Sequence, residues 1–453
     1  RQALENSNVI SDFSFLVGDA GTKGHFFYNQ IGSTKLIDKY ELNLQDVKGD
    51  NYLKNHNLAK TSDLIKDDNI LLSNLDLDFN FEESSLSTSF KIYEDLSRNY
   101  HDRYQYIFPD FNFKRNIDIS GEYNGRFNFN SYGYNKYYDT NIIETVITND
   151  FLFQSNEYIN NAGLVTNYDF LIKNSNNYSK NSLNFEEDAE YDLFGTLKLD
   201  TSYPLRKKMK NSTNYFKPIA SLRYSPNGNT DLSSKDILMN YNTVFNLNRI
   251  GSTYEVEGGE SLSLGLEFKK EYIETNKYFE FKIANVLKNK ENKKLPQKSK
   301  LNKTRSDIFG EINYSYSENF NFGYLFSYDR DLKYSNLEEL KSEFSVNNFI
   351  TEFSYYVEDN DIGNKESATI LSKYNFDQEN RISFELKKNL KEDFTQYYDL
   401  IYTYETDCIS IDLNFNKSFY NDGNLEPSKS ISFLVRILPF TELGVSSLGT
   451  LGN

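Results

Sequence analysis

The chain has 453 residues, a formal net charge of −16, a mean hydropathy of −0.67 and one cysteine. The acidic balance argues against nucleic acid as a partner, because phosphate binding needs clustered Lys and Arg, and one cysteine excludes an internal disulfide framework and any cysteine-based metal site. No segment reaches the roughly 18 apolar residues of a membrane-spanning helix, but this does not exclude the bilayer, since only alternate residues of a barrel strand meet lipid.

Along the chain, large apolar and small polar residues alternate in segments separated by clusters of Asn, Asp, Gly and Ser. The clearest segments are 75–81, 262–268, 320–326 and 409–415. Successive side chains of a strand point to opposite faces, so each segment has one apolar face and one hydrated face. At roughly 9–11 residues per spanning strand, the sequence predicts an all-β fold, a large antiparallel transmembrane β-barrel with about 20 strands in this chain.

Turns and loops are predicted between these segments. Glu82–Ser85 and Tyr123–Gly125 indicate hairpins, and the seven prolines stand at apparent segment ends, as expected for a residue excluded from the interior of a paired sheet. A weak helical signal covers Leu337–Glu343. The longer polar stretches are predicted loops: 52–69, 174–188, 205–217, 287–305 and 357–366. Because no linker divides the chain, we predict one barrel domain over 1–440 and a short C-terminal tail over 441–453.

No sequence motif indicates catalysis. Gly18–Gly24 is rich in glycine, but its residue order is wrong for a phosphate-binding loop and a hairpin turn is the favoured interpretation. Glu358–Asp361 has several carboxylates, yet its spacing is not that of an EF-hand loop and a solvated turn is favoured. The patterns GxSxG, HExxH and CxxC do not occur in the sequence. We therefore predict a protein that is not an enzyme and needs no metal or cofactor.

Two features are candidates for binding. A basic run includes Lys288, Lys290, Lys293 and Lys294, and against the acidic background it could attract anionic lipid head groups; a solvated mobile loop is the favoured alternative. Cys408 precedes a predicted strand. A lone cysteine is most often a small buried hydrophobe, whereas in an exported protein it indicates a partner outside the present chain.

Four segments, in matching order along the chain, resemble one known family. YETDCISIDLNFNKSFYNDGNLEPSKSISFLVRILPF has a strand led by Cys, an aromatic-rich strand, a turn and a last strand of the type S-x-x-F-x-x-x-L. NTVFNLNRIGSTYEVEGGESLSLGLEF is similar to a segment of the type N-x-F-x-x-x-R-x-x-G-x-D-x-x-E-G-G. LNKTRSDIFGEINYSYSENFNFGYLFSYDRDL and KYELNLQDVKGDNYLKNHNL are the other two. Together they resemble the family of the lipopolysaccharide-assembly protein LptD, particularly its alphaproteobacterial members.

The resemblance implies part of a barrel of about 26 strands that delivers lipopolysaccharide to the outer leaflet of the Gram-negative outer membrane. It implies an LptE-like lipoprotein plug in the lumen. It also implies a periplasmic β-jellyroll that receives lipid from an LptA-like bridge, and we expect this jellyroll and the earliest strands to lie outside the present sequence. By matching position, Cys408 would pair with a cysteine in that N-terminal part.

In this family, lipid is expected to leave between the first and last strands. The residues expected to form the gate in the last strand are Ser432, Phe433, Val435, Ile437 and Pro439. Pro439 has no N–H for the ladder, so pairing near it should be short and the seam should part at low cost. The alternatives are a general porin or receptor-type transport barrel, which would share the strand pattern, and a β-rich structural protein covered by other chains.

Overall fold

The protein is a nearly all-β chain. The computed structural model describes residues 7–18, 21–55, 58, 64–119, 124–139, 141–185, 187–226, 231–273, 275–419, 429–437 and 441–445. Its strands are β1 (Ser7–Gly18), β2 (Gly21–Gly32), β3 (Lys39–Lys48), β4 (Ile70–Asn80), β5 (Ser84–Asp95), β6 (Tyr104–Ile119), β7 (Gly125–Tyr138), β8 (Ile142–Ser155), β9 (Tyr158–Ile159), β10 (Val165–Lys180), β11 (Glu190–Ser202), β12 (Leu205–Lys208), β13 (Ser212–Ser225), β14 (Gly259–Tyr272), β15 (Tyr278–Lys288), β16 (Ile308–Ser317), β17 (Phe320–Tyr328), β18 (Ser335–Val346), β19 (Phe349–Glu358), β20 (Lys365–Asn375), β21 (Asn380–Asn389), β22 (Phe394–Glu405), β23 (Ile409–Ser418), β24 (Lys429–Ile437) and β25 (Thr441–Val445).

The helices are short and lie in connections between strands. They are α1 (Tyr52–Asn55), α2 (Tyr241–Val244) and two 3-10 turns, Tyr100–Asp102 and Gln297–Ser299. Across the described ranges, none of the helices has the length and apolar character needed to cross a membrane.

All the described strands belong to one sheet in which successive rows pair antiparallel. The short β9 continues β8 along β10, and the short β12 continues β11 along β13, so the 25 strands form 23 rows. β25 pairs with β24 on one side and with β1 on the other, and the sheet closes. Because 23 is odd, the strands that meet at closure run in the same direction, and the β1–β25 ladder is parallel. The predicted large β-barrel is confirmed.

The two faces of the wall have opposite polarity. On β23, Leu413 is 46% exposed, whereas the neighbouring Asn414 is 1% exposed and Asp412 is also buried. On β10, Phe170 is exposed while Lys173 and Ser175 are buried. The apolar side chains thus face outward and the polar ones face inward, which is the inverse of a water-soluble protein and typical of a wall that faces lipid.

The two ends of the barrel differ in the length of their connections. At one end, which we call the short-turn end, β16–β17 and β18–β19 are joined by 318–319 and 347–348. Asn347 adopts a positive φ of 52°, as a tight two-residue hairpin requires. At the opposite, long-loop end, connections 49–69, 226–258 and 289–307 are far longer.

The long loops fold inward against the wall. In the first apolar cluster, Tyr241, Val244 and Ile250 of one loop and Leu295 and Leu301 of another pack on the wall. In the second cluster, residues of 49–69 pack on β2 and β4. The predicted loop 287–305 is therefore folded in the described part of the chain, and the favoured interpretation of it as a mobile loop is wrong.

Some predictions about local structure are also wrong. Leu337–Glu343 lies in β18 and is extended, and 205–217 contains β12 and the start of β13. Pro109 and Pro218 lie inside strands rather than at their ends. The register of β6 shifts beside Pro109, and the strand facing Pro218 is interrupted between Ser202 and Leu205, so in each case the missing N–H falls at a break in the ladder.

The end of the chain contributes one more strand than expected. Within the predicted tail 441–453, Thr441–Val445 form β25. β24 therefore has partners on both edges, and β25 is the strand that meets β1.

An outward charge should be costly in the middle of this wall. We expect Leu413→Arg to destabilise the folded barrel in lipid by about 2–4 kcal/mol, because a lipid-facing cation near the midplane loses its hydration. Asp407→Arg, in the exposed turn before β23, is the matched control and should change stability by less than about 0.5 kcal/mol. Denaturant unfolding in lipid vesicles measures both, and equal effects would contradict the outward assignment.

Candidate functional site

The largest inward-folded segment connects β13 to β14. We call its described residues, 231–258, the luminal loop. It contains α2, whose first turn is closed by a capping box in which the Asn240 side chain accepts from the Thr243 N–H and the Thr243 hydroxyl accepts from the Asn240 N–H. This local structure gives the loop a defined shape with which to pack on the wall.

Three wall cations donate to backbone carbonyls of the luminal loop. Lys173 Nζ lies 2.8 Å from Thr253 O, and Lys198 Nζ lies 3.0 Å from Phe245 O. Arg223 Nε lies 2.8 Å from Leu247 O. Because these cations come from β10, β11 and β13, the loop is attached along three consecutive rows of the barrel.

The two lysines are also neutralised by carboxylates. Lys173 Nζ is 2.7 Å from Asp150, and Lys198 Nζ is 2.8 Å from Asp200 and 3.0 Å from Asp169. Buried cations are stable only when paired in this way. Arg223 differs, since neither of its terminal nitrogens, Nη1 or Nη2, has a hydrogen-bond partner among the described residues.

A buried ion cluster fixes the end of the luminal loop. Arg249 Nε and Nη2 each lie 2.7 Å from an oxygen of Glu257, a bidentate pair, and Lys288 Nζ lies 2.8 Å from Glu257 Oε1. Arg249 also donates to the hydroxyls of Ser261 and Ser263 at 2.7 and 3.1 Å. Since Glu257 is 0% exposed, one carboxylate serves two buried cations.

The charge of Glu257 is strongly stabilised. Burial alone raises the pKa of this carboxyl, but the charges of Arg249, Lys288 and Arg223 outweigh burial and leave the pKa well below its ordinary value of 4.5. Glu257 is therefore ionised throughout the neutral range.

A glycine lets the loop approach the wall. A Cβ at Gly265, on β14, would lie 2.4 Å from Phe245 Cζ, so only glycine fits at this wall position while the aromatic ring stays in place. The neighbouring Tyr241 hydroxyl donates to Glu267 at 2.9 Å. Apolar packing and charge pairing thus act on the same segment.

A second buried polar group joins β1, β2 and α1. Ser14 Oγ lies 2.9 Å from His25 Nδ1 and 2.9 Å from the Tyr52 hydroxyl, and His25 Nε2 lies 3.1 Å from Asp12. Serine, histidine and aspartate are the residue types of a nucleophilic triad. The His25 and Asp12 side chains are only 1% and 2% exposed beneath the loop, so this arrangement fits a structural latch on β1.

Among the described residues, the ladder that closes the barrel has the fewest residue pairs of any ladder between neighbouring rows. β1 and β25 share two residue pairs, Asp12–Glu442 and Phe13–Leu443, in parallel. The neighbouring β1–β2 ladder is far longer, because β1 pairs with β2 along its whole length, from Ser7–Gly32 to Gly18–Gly21. Parallel pairing is also slightly weaker per residue than antiparallel pairing. Within the described ranges, the seam is therefore the boundary between neighbouring rows with the fewest residue pairs to separate.

The structure separates the basic residues predicted from the sequence. Lys290, Lys293 and Lys294 are exposed at the long-loop end. Lys288 is the last residue of β15, and its buried ammonium faces inward to Glu257. Cys408 is an exposed free cysteine at the short-turn end, directly before β23.

Four of the five predicted gate residues lie on β24. Phe433 and Val435 lie on β24, where Phe433 is 40% exposed on the outer face. Ser432 and Ile437 belong to the same strand, and Pro439 lies outside the described residues. Their role as gate residues stays a prediction.

The sequence alone did not predict the ion cluster or the latch, although each has a signal in it. Arg249 and Glu257 are the Arg and Glu of the segment R-x-x-G-x-D-x-x-E-G-G noted above, and the structure brings these two side chains together. Ser14 and His25 are opposite each other in a hairpin whose register follows from its Gly-rich turn. In the described portion, no group of His, Cys, Asp and Glu could hold a metal ion.

Comparison with known proteins assigns the family. Residues 38–389, more than three quarters of the chain, match the family described as LptD, LPS transport system D. The chain belongs to the LptD family. It is thus a barrel of a lipopolysaccharide transport family, as the resemblance implied.

No curated protein matches the LptD-family chain at a significant level. Among solved structures, it is similar to a mutant of the Rhodopseudomonas blastica porin, at 8% identity over 65% of this chain and 89% of the porin, with a TM-score of 0.25. It is also similar to the copper transporter OprC, at 8% identity over 95% of this chain and 79% of that chain, with a TM-score of 0.45.

Removal of the Glu257 charge should release the luminal loop. We expect Glu257→Gln to mobilise a nitroxide attached at Thr253→Cys, in a Cys408→Ser background, because breaking a buried ion pair leaves cations uncompensated at a cost of about 3–5 kcal/mol. The control is Glu260→Gln, an exposed neighbour. Electron paramagnetic resonance reports the mobility, and an immobile label in Glu257→Gln would contradict the anchoring role.

The same label should reveal an acid transition. Because the folded pKa of Glu257 is lowered, its stabilising contribution is complete above about pH 4.5 and is lost as the pH falls through the lowered value. The label should therefore stay immobile from pH 7 to pH 5 and loosen only in stronger acid, and Glu257→Gln should lack this transition. A wild-type transition near pH 6 would point to another group.

Proposed function

We propose that this LptD-family barrel inserts lipopolysaccharide into the outer leaflet of the Gram-negative outer membrane through a polar lumen and a lateral opening. Lipopolysaccharide is amphipathic, so its sugars need a polar path while its acyl chains need access to the bilayer. The inward polar side chains supply the first requirement. The two-pair parallel ladder between β1 and β25 supplies the second, and it is the observation that carries the proposal.

The orientation in the membrane follows from the connections. Outer-membrane barrels have short periplasmic turns and longer extracellular loops. The short-turn end is therefore periplasmic and the luminal loop enters from outside. With this orientation we expect Cys408 on the periplasmic side, where an LptA-like bridge would deliver lipid through the jellyroll, and an LptE-like lipoprotein plug in the lumen.

We assign the proposed gate to β24 and β25 together and not to β24 alone. β24, with Ser432, Phe433, Val435 and Ile437, pairs on both edges, so we propose that β24 and β25 move together away from β1. The β24–β25 ladder has five pairs and the β1–β25 ladder two, which makes the latter the easier one to part.

A disulfide across the seam should stop transport. We expect oxidation of the pair Phe13→Cys and Leu443→Cys, in a Cys408→Ser background, to abolish the appearance of lipopolysaccharide at the cell surface, and reductant to restore it. The control pair Phe13→Cys and Phe26→Cys lies across the long β1–β2 ladder and should permit transport. Surface labelling of lipopolysaccharide reads both, and normal export from the oxidised seam pair would refute the lateral opening.

Cys408 should be oxidised in the cell. We expect non-reducing mass spectrometry of the membrane-assembled protein to find Cys408 in a disulfide with a cysteine outside the present sequence. A free thiol at Cys408 in the mature protein would remove this assignment.

A further inference from the structure

One row of side chains on the inner wall carries more positive charge than its surroundings neutralise. Arg223, Ser261 and Lys288 are directly opposite one another on β13, β14 and β15. We call these three residues the basic row. Because adjacent strands are roughly 4.8 Å apart, the backbone positions of the two cations are about 10 Å apart, with Ser261 between them.

The charges around the basic row do not balance. The charged groups that act on Arg223 are Glu257 and Arg249, and those that act on Lys288 are Glu257, Arg249 and Arg223. Three buried cations thus share one carboxylate. Buried cations in excess of their anions are costly, and they favour the binding of an anion.

Arg223 has unused hydrogen-bonding capacity. It is 3% exposed, and its one bond runs from Nε to the carbonyl of Leu247. Nη1 and Nη2 are buried without a partner among the described residues. A guanidinium offers a planar fork that matches two oxygens of a phosphate or carboxylate, and a single backbone carbonyl leaves that fork empty.

The luminal loop covers the row with its own anion. Glu257 accepts a hydrogen bond from Lys288, and Arg249 donates one to the Ser261 hydroxyl. Lys288 and Ser261 of the wall are therefore bonded to loop side chains while the loop is docked. A pocket of about 360 Å³ opens beside this point and is lined by Ser225, Gly259, Lys288 and Lys290. An anion can therefore approach the row from the long-loop end.

We propose that the basic row is a phosphate-binding site on the inner wall and that Glu257 occupies its anion position until the luminal loop is displaced. The ligand class is a phosphate monoester, as carried by a phosphorylated glycolipid, and this identification rests on the proposed transport function. Release of the loop exchanges one internal carboxylate for the phosphate of the ligand. Binding of the ligand and docking of the loop are therefore mutually exclusive.

The test is phosphate binding to the purified full chain in detergent, measured by equilibrium dialysis with radiolabelled inorganic phosphate. Glu257→Gln should bind phosphate at least about tenfold more tightly than the wild type, because it removes the competing carboxylate. Adding Arg223→Gln or Lys288→Gln to Glu257→Gln should abolish that gain, whereas Lys293→Gln, an exposed lysine outside the pocket, should preserve it. Arg223→Lys should retain part of the gain, and heat-modifiable migration in SDS confirms that each variant is folded.

Competition by two glycolipids in the same binding experiment identifies the source of the phosphate. A glucosamine-based glycolipid with its phosphates should compete with radiolabelled phosphate, and the dephosphorylated glycolipid should not. If only inorganic phosphate binds, the row is a site for the free ion. Equal affinity in wild type and Glu257→Gln, or full affinity in the folded Arg223→Gln and Lys288→Gln double variants, would overturn the proposal. Because the seam disulfide tests transport independently, failure here leaves the transport function standing.

Discussion

The closure of the wall depends on one constraint, which is that backbone N–H and C=O groups facing hydrocarbon must be bonded within the sheet. A simple up-and-down order satisfies this constraint for every ladder between successive strands. At closure the number of rows decides the outcome. With 23 rows, β1 and β25 run in the same direction and share only two residue pairs. Among the described residues, this ladder is short because β25 has only five residues, and it has the fewest residue pairs of any ladder between neighbouring rows.

The interior follows a different rule, because charges that turn inward and are then covered need partners. Lys173 and Lys198 receive wall carboxylates and loop carbonyls together, which explains why the luminal loop lies where it does. The bidentate pair of Arg249 and Glu257 then fixes the end of that loop against β14 and β15. Ion pairs and charged hydrogen bonds therefore hold most of the docked loop, and the apolar contact of Phe245 with Gly265 adds a steric fit.

The sequence was sufficient to predict the strands of the wall but not the side-chain contacts of the interior, for physical reasons. A period of two is a local property, so the segments at 75–81 and 409–415 identified strands and faces without knowledge of their partners. The helical signal at Leu337–Glu343 failed because pairing of β18 with β17 and β19 outweighs a weak local propensity. The contact of Lys173 with Thr253 joins parts of the chain that are 80 residues apart, and no local sequence pattern predicts it. Lys288 was recognised as part of a basic run, but its inward direction depends on the register of β15.

The docked loop and the seam lie on different arcs of the barrel, and this separation has a mechanical consequence. The loop is bonded to β10, β11, β13, β14 and β15, so it braces five neighbouring strands against one another. The seam between β25 and β1 has no comparable brace among the described residues, although the Asp12, His25 and Ser14 latch stiffens β1 against β2. A force that widens the barrel will therefore be resisted on the braced arc and will separate the ladder with the fewest bonds. The docked loop thus stiffens one arc of the wall and leaves the seam as the less braced part of the described residues.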